Sequence, residues 1–312
     1  MRAAQINQYG DQQVLQTTDH ADRPKPAADQ VLVAVHAAAV NPFDYKVRQG
    51  AAQLPEGVNF PATLGGDFAG TIAEIGEDVT GFAVGQAVYG QAGALSGHGS
   101  FAEFTPVKST SVSAKPDSTD FVQAAAIPLV AVSAYQALVD HANLQAGQKI
   151  LIHGGAGGIG SVAVQLAKHL GARVVATARG TDTDYVKQLG ADEVIDYEHQ
   201  DFTTSADDYD VVFDTVGGET NAKSYQVIKD GGAFVSMAAQ ADEAKVAEKH
   251  LQYTSQFTRM TPERLKHITD LVDADVITVK IDKVYPLEEA AAAVERVGTG
   301  HPSGKVVIQI AA

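Results

Sequence analysis

At 312 residues and 45% apolar content, the chain is long enough for two domains with packed cores. Its formal net charge of -15 gives an acidic surface, which opposes binding to nucleic acid or anionic lipid. There is no cysteine, which excludes disulfides, thiolate nucleophiles and every zinc site that relies on thiolate ligands. The ten histidines are scattered without an H-E-x-x-H or comparable cluster, so a His/carboxylate metal site is unsupported. No apolar run reaches the ~18 residues of a membrane span. The N-terminus MRAAQINQYG carries no apolar signal segment and reads as a first strand, with a cytoplasmic location as the default expectation.

From Met1 to about Ser118, short apolar runs such as Gln30 to Ala37 and Gly70 to Ile75 alternate with prolines and glycines. This pattern predicts a compact, partly closed β-barrel, with helix only afterwards. An Ala-rich helical stretch follows from Gln123 to Asp140, interrupted by Pro128.

The run Ile150-Leu151-Ile152 reads as a strand buried on both faces, and Val162, Leu166 and Leu170 mark one side of a helix. Between them Gly155, Gly157 and Gly160 satisfy G-x-G-x-x-G, enclosing Ala156, Gly158 and Ile159, and Gly154 adds a second three-residue spacing. Such glycines serve a tight turn, close approach of a pyrophosphate to the backbone, and close helix–strand contact at a helix N-terminus. A second strand-like run, Arg173 to Thr177, completes a βαβ unit, so the turn reads as a dinucleotide site. No Gly-Lys-Ser/Thr closes it, which excludes a P-loop.

Strands and helices then alternate, which predicts a parallel doubly wound sheet. Helices are expected at Asp182 to Leu189 and Thr220 to Ile228, and strands at Glu193 to Ile195, Asp210 to Phe213, Ala233 to Met237 and Leu251 to Phe257. A helix from Pro262 to Val272, strands near Val276 to Val284 and Lys305 to Ile310, and an Ala-rich helix from Leu287 to Val297 return the chain to the first domain. The expected division is 1–121 with 259–312, and 122–258.

With these pieces placed, the chain resembles the medium-chain dehydrogenase/reductase superfamily, in its zinc-free quinone oxidoreductase (zeta-crystallin-like) branch. The resemblance rests on AAAVNPFDYKVRQG (37–50), LGGDFAGTIAEIGEDVTGFAVGQAVYG (64–90), AAAIPLVAVSAYQAL (124–138), HGGAGGIG (153–160), FDTVGGE (213–219) and HPSGKVVI (301–308). It implies an α/β protein with a GroES-like catalytic domain and an inserted Rossmann domain that binds NADPH. The implied activity is reduction of quinones or α,β-unsaturated carbonyl compounds, and a homodimer is implied by edge-strand pairing. Metal-dependent members place a cysteine within the segment aligned with Asn41 to Asp44, and Gly-His-Glu at Gly65-Gly66-Asp67. Both ligand sets are missing here, so hydride transfer is expected without a Lewis acid.

The second strand of the dinucleotide unit ends Thr177-Ala178-Arg179, with no carboxylate where NAD enzymes hold the ribose. Arg179 either receives the 2′-phosphate of NADP or is a solvated loop arginine, with Asp182 or Asp184 on the ribose. Tyr197 either stacks near the adenine or is an ordinary half-buried tyrosine. Ser133 aligns with a family hydroxyl at the nicotinamide end. Val216, Gly217 and Gly218, with Ser236, Met237 and Ala238, follow the fourth and fifth strands at their carboxyl ends, where ligands of open α/β sheets bind. Lys305 is a further expected cofactor contact, against the reading of a solvated charge. For the substrate, the resemblance favours Asn41, Asp44, Tyr45 and Lys46. Lys46 or Tyr45 would donate to the oxygen on which charge develops, unless Lys46 is ion-paired with Asp44 or Asp67. A second reading, an NADPH-binding redox sensor or structural protein with little turnover, stays open beside the reductase.

Overall fold

The computed structural model describes residues 1–51, 58–93, 96–204, 208–299 and 302–311; His301 of the last sequence block lies outside the described residues. The chain divides into two compact units. One is Met1–Leu129 with Met260–Asp273 and Val279–Ala312, and the other is Val130–Arg259 with Ala274–Thr278.

The first unit opens with β1 (Ala3–Ile6), β2 (Leu15–Thr18), β3 (Gln30–Val40), α1 (Pro42–Arg48), β4 (Ala62–Thr63) and β5 (Asp67–Ile75). It continues with β6 (Ala87–Gln91), β7 (Phe104–Lys108), β8 (Val112–Ala114) and α2 (Phe121–Ala125). After α3 (Pro128–Tyr135) and a π-helical turn at Gln136–His141, the second unit alternates β9 (Lys149–His153), α4 (Gly158–His169), β10 (Arg173–Ala178), α5 (Thr183–Gln188) and β11 (Glu193–Asp196). It goes on through β12 (Tyr209–Asp214), α6 (Gly218–Ser224), β13 (Ile228–Ser236), α7 (Glu243–Glu248) and β14 (Gln252–Ser255). The chain returns to the first unit with α8 (Pro262–Asp273), β15 (Ile281–Pro286), α9 (Ala290–Thr299) and β16 (Lys305–Gln309).

In the first unit, β15, β16, β3, β5, β6 and β8 form a sheet in that order, and β7 also joins β3. The eleven residues of β3 take β7 along Gln30–Ala34 and β16 along Ala37–Val40, on successive parts of one strand. Strands before and after the second unit therefore share one sheet, while β2, β1 and β4 form a separate small one. Its inner face buries Val31, Val33, Val35, Phe68, Ile72, Val88, Phe101, Val306 and Ile308, each contributing roughly 1.5–3 kcal/mol for the larger side chains.

The all-β expectation for this unit needs one correction, because Pro42–Arg48 is a helix. Asn41 is its N-cap with extended backbone, Pro42 occupies the first helical position, and the Asp44 carboxylate accepts from the Asn41 backbone N–H at 2.7 Å. A cap residue, a proline with preset φ and an acid in the first turn are together a helix start. Gly50, at φ 74°, ends it.

In the second unit the parallel sheet runs β11-β10-β9-β12-β13-β14. Counted within the unit, this is the order three-two-one-four-five-six of a doubly wound dinucleotide fold, and the direction reverses beside β9. Three other boundaries differ from the sequence reading. Pro128 opens α3 rather than interrupting a longer helix, as a proline at a helix start does. The helix expected to reach Ile228 stops at Ser224, because Ile228 already begins β13 opposite Tyr209. The late strand occupies Ile281–Pro286, where it pairs with β16, rather than beginning near Val276. The short helix α7 was not anticipated; Asp242 caps it by accepting from the Lys245 N–H.

Candidate active site

Register explains the polar cluster of the first unit. Val306 pairs antiparallel with Val40, so Lys305 just before it comes level with Asn41 just after β3. Asp67 opens β5 opposite Ala39. Strand pairing thus brings three distant polar residues to one end of the sheet. Asn41, Asp44, Asp67 and Lys305 are all buried.

Their hydrogen bonds interlock. The Asn41 Nδ2 donates to Asp67 Oδ2 at 2.9 Å, and the Lys305 ammonium donates to Asn41 Oδ1 and to the Val40 carbonyl, the latter at 3.1 Å. Asp67 also accepts from Gln91 Nε2 at 3.2 Å and from the Leu129 N–H at 3.3 Å. Lys305 Nζ lies 3.8 Å from Asp67 Oδ2. Burial pushes Asp44 up to about 7, aided by the Asp67 charge and opposed by its backbone hydrogen bonds and by Lys305. Burial raises Asp67 too, against the pull of Lys305, and lowers Lys305, against the pull of both carboxylates.

The cluster differs from the sequence reading in its members. Lys46 is exposed on α1, and the lysine facing Asp67 is Lys305. Tyr45 is half-buried against the core, beside Gly298 of α9. Asp67 entered the sequence reading only as a possible ion-pair partner of Lys46 and within the Gly65-Gly66-Asp67 segment, not as a site residue. The oxygens of Asp44 and Asp67 accept from amide and backbone N–H donors, with the Lys305 ammonium beside Asp67, a set that does not fit a divalent metal. Among the described residues there is no group of three or more His, Asp or Glu able to hold one.

In the second unit the glycine turn follows β9 at the switch point. Gly154, at φ 77°, makes the tight turn that the spacing had left among four glycines. A Cβ on Gly160 would sit 2.1 Å from the Gly154 carbonyl oxygen, so this glycine lets α4 close onto the turn. The Ser161 N–H is the first to bond within the helix, to Gly157, so the N–H groups of Gly158, Ile159 and Gly160 lie in the first turn, where N–H groups have no intrahelical acceptor. Gly155, Ala156 and Gly157 form the turn itself, held by the Gly155 N–H donating to the Thr177 carbonyl at 2.8 Å.

At the end of β10, Thr177 and Ala178 are buried, and Arg179 emerges with its Nε donating to the Tyr197 hydroxyl at 2.9 Å. Tyr197 is 50% exposed. The structure therefore brings these two sequence candidates together. Ser133 is buried, with its hydroxyl 2.7 Å from that of Thr258, and Gln256 Nε2 spans from the Ser133 carbonyl to Met237 Sδ.

Asp214 organises the loops after β12 and β13. Its Oδ1 accepts from the N–H groups of Val216 and Gly217, both at 2.9 Å, and its Oδ2 from Asn221 and Ser236. The Ser236 hydroxyl in turn accepts from the Ala238 and Ala239 N–H groups. Val216, 55% exposed, is thus held on a rigid loop. His153 beneath is buried and shifted down to about 4, chiefly by burial. Neutral His153 is fully served: Nε2 lies 2.9 Å from the Ser224 hydroxyl, whose proton goes to the Thr220 carbonyl, and Nδ1 lies 3.3 Å from Thr177 Oγ1. His153 and Asp214 lie in the HGGAGGIG and FDTVGGE blocks but were given no role there, and Gln256 carried no motif in the sequence.

Residues 27–117 match the alcohol dehydrogenase GroES-like domain and 189–308 the zinc-binding dehydrogenase domain. A 2-methylene-furan-3-one reductase of Solanum lycopersicum is 35% identical, over 99% of this chain and 79% of the relative. The chain belongs to the medium-chain dehydrogenase/reductase superfamily. An NADPH-dependent alkenal/one oxidoreductase of Arabidopsis thaliana, chloroplastic, is 34% identical over the same shares. The quinone oxidoreductase of Coxiella burnetii superposes with a TM-score of 0.91 at 34% identity, covering 99% of both chains. The chain is accordingly an oxidoreductase of this superfamily, with its GroES-like and Rossmann-like parts as expected. No helix among the described residues is long and apolar enough to cross a membrane.

Proposed function

We propose that this protein reduces quinones or α,β-unsaturated carbonyl compounds with NADPH, by direct hydride transfer without zinc. The observation that carries the reading is Arg179, a cation at the end of β10 steadied by Tyr197, where an NAD enzyme would present a carboxylate. Bound NADPH supplies the hydride. The chain's own residues do the rest.

The N–H groups at the start of α4 face the pyrophosphate, and Arg179 receives the 2′-phosphate. The loops fixed by Asp214, with Val216, Gly217, Ser236, Met237 and Ala238, hold the nicotinamide end together with Ser133. Asn41 orients the substrate from the buried cluster, and Lys46 or Tyr45 on α1 meets the oxygen that gains charge. An acceptor already activated by conjugation suits a site whose carboxylates are committed to amide and backbone donors. The reductase and quinone oxidoreductase relatives support this substrate class. A second copy is the proposed partner, through the open edge of β14 beside the 74% exposed Phe257.

The test is oxidation of NADPH, and separately of NADH, by purified protein offered benzoquinone, phenanthrenequinone or a short alkenal. Turnover with NADPH preferred is expected. Tight NADPH binding with no turnover on any acceptor would instead favour a cofactor-binding sensor.

A further inference from the structure

Asp44, Asp67 and Lys305 place two carboxylates and one ammonium in a buried cluster bridged by Asn41. The charges acting on Asp44 are those of Asp67 on β5 and Lys305 on β16, and those acting on Lys305 are the two carboxylates. The other charges of α1 are engaged elsewhere: Lys46 is exposed, and Arg48 pairs with Glu295 of α9 at 3.3 Å.

One ionised carboxylate balances the ammonium; a second leaves a net negative charge away from water. Hydrogen bonding decides which carboxylate ionises first. Asp67 accepts from Asn41, Gln91 and Leu129 and lies nearest the ammonium, whereas Asp44 accepts only backbone N–H donors. The proton therefore resides on Asp44, although the two titrate as a coupled pair.

We propose that Asp44, Asp67 and Lys305 are positioning residues that hold one exchangeable proton, and that its release slows reduction by leaving an uncompensated negative charge beside Asn41. This rests on the reading of Asn41 as a substrate-side residue. Release breaks the Asp44 O–H bond and passes the proton to water, with no other bond changed. Hydride addition builds negative charge on the acceptor oxygen, and a like charge nearby in a region of low dielectric opposes it.

The experiment has two arms. Carbon-13 NMR of aspartate-labelled wild-type protein is recorded against pH, and kcat with NADPH and an alkenal is measured against pH for wild type and Asp44→Asn. The expected result is a carboxyl resonance titrating near neutrality that is lost in Asp44→Asn, with a kcat inflection at the same pH in wild type that is flattened in the variant. A structural role alone would lower the melting temperature and leave the inflection in place. Absence of any neutral-range carboxyl titration, or an unchanged inflection in Asp44→Asn, overturns the proposal. If no acceptor turns over, the reductase reading falls, and the NMR arm still decides the proton site.

Discussion

The Lys305 ammonium stands 3.8 Å from the Asp67 carboxylate, both groups buried, because β16 pairs with β3 in a register that sets Lys305 level with Asn41. Removing one partner of a buried ion pair strands the other charge. Lys305→Met is therefore expected to cost about 3–5 kcal/mol of stability, read by thermal or urea unfolding. An unchanged melting temperature would mean that the pair contributes nothing to the fold.

The same cluster predicts a pH dependence of stability. Asp44 is held at about 7 in the folded protein, against an ordinary value of 3.8. Between those values the folded state keeps a proton that the unfolded chain has released. Stability then falls as pH rises through this window, by up to about 1.4 kcal/mol per pH unit for one proton, and levels off above it. Asp67, also raised, acts in the same direction. Melting temperature measured from pH 4.5 to 8 should show this slope in wild type and a shallower one in Asp44→Asn. Equal slopes would remove Asp44 as its source.

The second unit was legible in the sequence because its signals are local. An apolar strand, a glycine turn and a helix lie within one short stretch, and alternation fixes a parallel sheet. The sequence could not say which glycine takes the positive φ, since Gly154, Gly155, Gly157 and Gly160 all permit it. The site in the first unit was only half legible. Asn41 and Asp44 stood out in their block, but their partners are delivered by strand register: Lys305 comes from the far end of the chain and Asp67 from the start of β5. Composition and spacing carry no information on that pairing. For the same reason the alternative of Lys46 as the ion-pair partner of Asp44 or Asp67 stayed open in the sequence, whereas Lys46 is exposed on α1 and Lys305 is the lysine beside Asp67. The N-P-F-D start of α1 was readable as a cap and was passed over because the surrounding texture was that of strands.

Arg179→Ala should weaken NADPH binding on the order of tenfold or more, through loss of a charge-assisted phosphate contact, and leave NADH binding nearly unchanged. Tyr197→Phe removes the hydroxyl that accepts from Arg179 Nε and should weaken NADPH to a smaller degree. Calorimetric titration with each nucleotide separates the two. Equal losses for NADPH and NADH would sink the 2′-phosphate assignment.

Gly160→Ala places a methyl against the backbone carbonyl of Gly154, which a flexible side chain cannot relieve. The helix must move away from the turn, at an expected cost of about 1–3 kcal/mol, and both nucleotides should bind more weakly because the N-terminus of α4 shifts with it. A variant with wild-type stability and affinity would show that the turn tolerates the added carbon.

Lys46 and Tyr45 compete for the role of donor to the reduced oxygen. Lys46 is exposed at the end of α1, so its charge can meet a substrate without loss of any internal contact, whereas Tyr45 packs against the core. Lys46→Met should then lower kcat on the order of 100-fold if it donates in the transition state, with NADPH affinity and melting temperature unchanged. Tyr45→Phe keeps the packing and removes only the hydroxyl. A fall in kcat for Tyr45→Phe with Lys46→Met near wild type would move the role to the tyrosine, and wild-type kcat in both would leave water as the proton source.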